Sequence, residues 1–122
     1  MPDESQVLAR VYAAILKHRD ADPSTSHTAG LFAAGLPAIA KKVGEEASET
    51  LVAGIGESDD ALVAESADLL YHLMVLWAVR GVTPSDVYAE LASREGTSGV
   101  AEKASRGGAQ RTERDGSKGG KS

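Results

Sequence analysis

Four acidic residues in this sequence stand in two pairs at a spacing suited to metal binding. Glu46 and Glu49 are three residues apart, and so are Glu65 and Asp68. Side chains three residues apart on an α-helix point the same way, so each pair forms a two-carboxylate claw. Two claws facing each other across a helix pair would offer the hard oxygen ligands that Mg²⁺ or Mn²⁺ prefers. The spacing therefore predicts a divalent metal site.

The second pair, Glu65 and Asp68, interrupts the most apolar stretch of the chain, residues 61–79. A carboxylate turned toward a core costs several kcal/mol unless a positive group meets it. For Glu46 and Glu49 alone, the solvated face of an amphipathic helix is the simpler explanation. For the second pair that explanation fails, because its helix has little polar surface.

A redox pair of irons is a different kind of metal site that a helical bundle can hold. Such sites use Glu-x-x-His, with the imidazole three residues after the carboxylate. Here His72 follows Asp68 by four residues and Glu65 by seven, which argues against iron. His72 is then either a core histidine or a partner of a metal ligand.

Lys42 lies one helical turn before Glu46 and shares its stripe. Two interpretations stay open. One is an ion pair with Glu46, worth a few tenths of a kcal/mol at this spacing. The other is a contact to a phosphate group bound beside the metal.

The composition limits the classes of protein to consider. The 122 residues suit one small domain, and 42% apolar but only 4% aromatic residues favour close-packed helices. A net charge of −5 argues against a nucleic-acid binder, and the absence of cysteine excludes thiolate sites. The polar N-terminus is unlike a secretory signal, and the acids in 61–79 are expected to rule out a membrane span. We therefore expect a cytoplasmic protein without a membrane partner.

Apolar periodicity and capping residues predict an all-α fold. Helices are expected over residues 5–18, 28–34, 36–54, 60–80 and 84–94. The second long helix should pack through one apolar face, and Gly44 within it suggests a close backbone approach. That face comprises Leu36, Ile39, Ala40, Val43, Ala47 and Leu51. The last helix should bury Val87, Tyr88 and Leu91.

The helix over 60–80 is apolar almost all round, so a single partner face cannot cover it. A homodimer, or a higher homo-oligomer, whose helices complete a shared bundle would do so. We expect residues 1–106 to form the folded domain. Residues 107–122 lack apolar periodicity and are expected to be a disordered polar tail.

Two motifs carry a resemblance to a known family. Lys42-x-Gly44-Glu45-Glu46-x-x-Glu49 followed by Glu65-x-x-Asp68 resembles the all-α nucleoside triphosphate pyrophosphohydrolases, the MazG-like group. Residues 96–106, Gly-Thr-Ser-Gly-Val-Ala-Glu-Lys-Ala-Ser-Arg, are similar to the C-terminal signature of the phosphoribosyl-ATP pyrophosphohydrolases within that group. His27 departs from the family, which usually has Tyr there.

The resemblance implies hydrolysis of phosphoribosyl-ATP, a nucleotide, to phosphoribosyl-AMP and pyrophosphate, the second step of histidine biosynthesis. It implies a MazG-like helical bundle and Mg²⁺, with Mn²⁺ as a substitute, held by the two claws. Glu45 or Glu46 would orient or deprotonate the attacking water. The phosphate contacts would come from Lys42, Lys103 and Arg106. Two alternatives stay open, a sibling enzyme that clears nucleoside triphosphates and an interaction module without catalysis.

Overall fold

The computed structural model describes residues 4–96, and within them the chain is helical, with no strand. A 3-10 turn, Glu4–Gln6, leads into α1, Val7–His18. The other helices are α2, His27–Ala34; α3, Leu36–Gly56; α4, Asp59–Arg80; and α5, Pro84–Ala92. The prediction of an all-α fold is confirmed. Lys103, Arg106 and the predicted boundary at residue 107 lie outside the described residues.

The helix ends are fixed by local capping interactions. The hydroxyl of Ser58 accepts a hydrogen bond from the backbone N–H of Ala61 at 3.1 Å and starts α4. Gly81 ends α4 in the left-handed conformation, with φ of 75°, as expected of a C-terminal glycine. At the start of α5, Thr83 and Asp86 cap each other's backbone N–H groups reciprocally. These signals are local, so the sequence predicts them well.

The chain divides into two compact units at Val87, with α1 to α4 in the first. In that unit α3 packs along α4, and α1 and α2 also contact α4. The buried cluster comes from α1, α3 and the second half of α4: Tyr12, Ile15, Ile39, Met74, Val75 and Ala78. The Tyr12 hydroxyl donates to the Val82 carbonyl at 2.7 Å and ties α1 to the segment after α4. The first half of α4 therefore has α3 as its main neighbour.

The inward face of α3 differs from the predicted one. Ile39 and Val43 do turn inward, but the face continues through Glu46, Thr50 and Ala53. The other residues of the predicted face are exposed: Leu36, Ala40, Ala47 and Leu51. Periodicity detects an apolar stripe but does not say which neighbour covers it. Gly44 faces open space within the described chain, so no close approach occurs there.

An apolar surface on α3 and α4 has no partner among residues 4–96. Leu51 is 62% exposed, Ile55 81% and Val63 68%. The prediction that α5 buries Val87, Tyr88 and Leu91 was wrong for Tyr88 and Leu91, which are exposed, while Val87 is half-buried.

Within residues 4–96, α4 alone has the length and composition of a membrane-crossing helix, and 22% of its apolar window is buried. The expectation that its two acids would exclude a spanning length was therefore wrong. Core helices of soluble proteins can have the same length and composition.

Candidate metal centre

Three of the four predicted ligands converge where α3 and α4 pack together. Glu46 and Glu49 come from α3 and Glu65 comes from α4, and one carboxylate oxygen of each lies within 4.8 Å of the others. A turn of two residues joins the helices, so they run antiparallel side by side and their acidic turns meet. Two ionised carboxylates about 4 Å apart repel each other by about 4 kcal/mol at an effective dielectric of 20.

Burial makes this cluster unlike a solvated acidic face. Glu46 is only 5% exposed and Glu65 is half-buried, whereas Glu49 reaches solvent. Oε1 of Glu46 and Oε1 of Glu65 are buried and accept no hydrogen bond from the described residues. A buried charged oxygen without a donor is strongly unfavourable. A hard divalent cation would satisfy both oxygens, so the donor set fits Mg²⁺.

The surroundings of Glu65 oppose its ionisation. Burial raises the pKa of the Glu65 carboxyl above its usual value of 4.5. A hydrogen bond that protonated Glu65 makes to Glu49 raises this pKa further, as do the negative charges of Glu49, Asp68 and Glu46. When Glu65 is ionised it can no longer donate that hydrogen bond. Without a metal, Glu65 therefore holds a proton more readily than an ordinary glutamate.

Asp68, the fourth predicted ligand, lies one turn along α4 from Glu65 and is exposed. It is outside the group of three converging carboxylates, although its charge acts on Glu65. Its role as a ligand stays a prediction.

Lys42 forms an ion pair with one member of this cluster. Its Nζ lies 3.3 Å from Oε2 of Glu46 and 4.0 Å from Oε1 of the exposed Glu45. The ion pair considered from the sequence is therefore formed through Oε2 of Glu46, whose Oε1 is buried without a hydrogen-bond partner among the described residues. The Lys42 side chain is 35% exposed, so its amine has access to water.

Thr50 is a site residue that the sequence analysis missed. Its hydroxyl donates to the backbone carbonyl of Glu46 at 2.8 Å and to that of Glu65 at 3.1 Å. The hydroxyl has one hydrogen, which the two carbonyls share. It thereby links α3 to α4 beside the converging carboxylates. No sequence signal marks Thr50, because a threonine inside a helix commonly bonds its own preceding turn.

His72 is buried next to the site. Its Nδ1 lies 2.8 Å from the backbone carbonyl of Asp68, which can only accept, so Nδ1 carries a hydrogen. Its ring meets the rings of His27 and Tyr71 edge-on, with centroids 5.9 and 5.6 Å away. Tyr71 in turn shares a hydrogen bond with Thr28 of α2. Nδ1 of His72 thus bonds backbone and not a carboxylate, while its buried Nε2 has no hydrogen-bond partner among the described residues.

A cavity of about 270 Å³ opens beside the cluster. It is lined by Ser48, Glu49, Val52, Glu57 and Glu65, so two converging carboxylates form part of its wall. Sites that enclose a drug-sized molecule span about 300–1,000 Å³. The cavity therefore suits part of a large ligand, placed next to the acidic oxygens.

Comparisons with known proteins agree on one family. The sequence model described as phosphoribosyl-ATP pyrophosphohydrolase matches residues 8–95. A relative named phosphoribosyl-ATP pyrophosphatase from Paramagnetospirillum magneticum is 55% identical over 106 residues, covering 87% of this chain and 97% of the relative. The relative of that name from Azospirillum brasilense is 55% identical, covering 82% and 90%. The one from Granulibacter bethesdensis is 51% identical, and the match spans 66% of its length.

Replacing Thr50 by Val should destabilise the metal-free protein by about 1 kcal/mol, because the shared hydrogen bond is lost while the volume is nearly kept. Chemical denaturation in EDTA measures this. Thr50→Ser keeps the hydroxyl and should retain most of the stability. If the Thr50→Val protein is as stable as the unmodified chain, this hydrogen bond does not stabilise the helix pair.

The raised pKa of Glu65 predicts a pH dependence. Because folded Glu65 binds its proton more tightly than unfolded Glu65, its contribution to the metal-free free energy of unfolding is fully present below pH 4.5. It is lost as the pH rises through the raised folded pKa. Denaturation in EDTA at a series of pH values, compared between the unmodified chain and Glu65→Gln, isolates this contribution. Parallel profiles for the two proteins would contradict the prediction.

Proposed function

The chain belongs to the phosphoribosyl-ATP pyrophosphohydrolase family, and from that premise we propose that it hydrolyses phosphoribosyl-ATP to phosphoribosyl-AMP and pyrophosphate. The reaction is the second step of histidine biosynthesis and breaks the anhydride between the α- and β-phosphates. The observation that carries the proposal is the convergence of Glu46 and Glu65, each of which has a buried carboxylate oxygen that accepts no hydrogen bond from the described residues.

The proposed cofactor is Mg²⁺, with Mn²⁺ as a substitute. Glu46, Glu49 and Glu65 would hold the ion, and Asp68 is the proposed fourth ligand. When bound, the ion supplies positive charge that neutralises the polyphosphate and polarises its phosphorus–oxygen bonds. The cavity lined by Glu49 and Glu65 supports this placement, because a phosphate chain bound there would lie beside two of the proposed ligands.

The chain's own residues would activate and orient the reactants. Glu45 is exposed at the rim of the site, and we assign to it, or to Glu46, the orientation of the attacking water and acceptance of its proton. The oxygen of that water forms a bond to phosphorus as the bond to the bridging oxygen breaks. Lys42 is the proposed phosphate contact on α3. Lys103 and Arg106 are proposed as further phosphate contacts.

We also propose that a homodimer, or a higher homo-oligomer, completes the bundle. The support is the apolar surface formed by Leu51, Val52, Ile55 and Val63, all more than half exposed. Surfaces of this kind commonly mark association sites. A second copy would cover the first half of α4, where α3 is the main neighbour. Since the substrate is a free nucleotide, we propose that the protein works in the cytoplasm.

The proposal is tested by measuring pyrophosphate release from phosphoribosyl-ATP, dCTP and dUTP with Mg²⁺ and with EDTA. Release from phosphoribosyl-ATP that needs Mg²⁺ is expected. Preference for a deoxynucleotide would instead support the sibling enzymes that clear nucleoside triphosphates. No release from any of the three, together with no binding of Mg²⁺, would support an interaction module.

Neutralising the converging acids should separate activity from folding. Glu46→Gln, Glu49→Gln and Glu65→Gln are each expected to lower kcat by at least about 100-fold, as losses of transition-state charge stabilisation do. Asp68→Asn should do the same if Asp68 is a ligand. In EDTA, Glu49→Gln and Glu65→Gln should be at least as stable as the unmodified chain, because repulsion is relieved. Glu4→Gln, an exposed change in the 3-10 turn before α1, is the matched control. Loss of folding in the first three would mean that these acids are structural.

The dimer is tested on the exposed apolar surface. Ile55→Lys should shift the protein toward the monomer, because a charge placed in an apolar interface must be desolvated. Sedimentation equilibrium measures the change. Lys41→Met, an exposed change on the same helix, is the control. A chain that is monomeric before any substitution would refute the proposal.

A further inference from the structure

Lys42 forms an ion pair with Glu46, which would be the most buried ligand of a bound metal ion. Glu46 is the most deeply buried of the converging acids, at 5% exposure, and its Oε2 lies 3.3 Å from the Lys42 amine. Its other oxygen is buried without a partner and belongs to the carboxylate that converges with Glu49 and Glu65. In the metal-free protein, therefore, Lys42 provides the positive charge that Glu46 meets.

We propose that Lys42 is a resident counterion of the metal centre, which a divalent cation displaces from Glu46 when it binds. The inference rests on the proposed function and extends it to the order of events in the site. A cation that binds Glu46 lies within a few ångströms of the Lys42 amine, and like charges at that distance repel strongly. Glu46 cannot bind both cations at full strength, so Lys42 competes with the metal for this carboxylate.

The surroundings of Lys42 allow this displacement. Its side chain is 35% exposed, so the amine reaches water without unpacking the core. Glu45, whose side chain is 49% exposed, already lies 4.0 Å from the amine on the outer side. Lys42 can thus exchange the buried Glu46 for the solvent-exposed Glu45. An amine released in this way stands one turn from the metal ligands, where it is free to meet a phosphate of the substrate.

The test is the affinity for Mn²⁺ alone, measured by calorimetry in the absence of nucleotide. Lys42→Met should bind Mn²⁺ about tenfold more tightly than the unmodified chain, because the competing charge is gone. Lys42→Arg keeps the charge and holds carboxylates with a fork of donors, so it should bind no more tightly than the unmodified chain. Lys41→Met, next in the chain and exposed, should leave the affinity unchanged.

A second readout uses stability in EDTA, where no metal is present. Lys42→Met should lower the free energy of unfolding by leaving Glu46 without a counterion. In a Glu46→Gln background the same substitution should have little effect, which a double-mutant cycle measures. If Lys42→Met is unfolded in EDTA, Mn²⁺ should refold it, and the titration of refolding then reports the affinity.

The outcomes separate a failure of the inference about Lys42 from a failure of the proposed metal-dependent function. If the unmodified chain does not bind Mn²⁺, the proposed metal function fails. If it binds Mn²⁺ and Lys42→Met binds with equal or weaker affinity, Lys42 is a structural ion pair or a supporting group for the metal, and the inference is overturned. Tighter binding by Lys42→Met with an unchanged Lys41→Met supports it.

Discussion

Mutual repulsion among Glu46, Glu49 and Glu65 is the constraint on which the rest of this structure depends. Their carboxylates lie within 4.8 Å of one another, and two of them carry buried oxygens that receive no hydrogen bond from the described residues. Two features of the protein reduce this repulsion in part. Lys42 neutralises one side of Glu46, and Glu65 holds its proton more tightly than usual. These compensations are incomplete, and a divalent cation would complete them.

The position of the site also explains how the helices pack. The face of α3 that meets α4 includes Glu46 and Thr50, at positions that purely apolar packing would fill with hydrophobic side chains. Thr50 holds the two backbones together beside the carboxylates. Apolar residues such as Leu51 and Ile55 are left on the outside of the helix pair. The same arrangement thus concentrates charge between the helices and leaves an apolar surface available to a second copy.

The sequence predicted the helices closely because the signals that start and end them are local. Ser58, Gly81 and the pair Thr83 and Asp86 act within one turn of where they stand. The faces were harder to predict. Whether Leu51 or Glu46 turns inward depends on where α4 lies, and periodicity in α3 holds no information about that. The convergence of three acids followed from their spacing, whereas the cross-helix bond of Thr50 needed coordinates.

The most direct test of the central claim is a crystal structure of the protein soaked in Mn²⁺, with the ion located by its anomalous scattering. The account predicts a strong peak in direct coordination distance of the Glu46, Glu49 and Glu65 carboxylates, with the Lys42 amine moved away from Glu46. A map in which these three side chains point apart into solvent, with no ion between them, would contradict it.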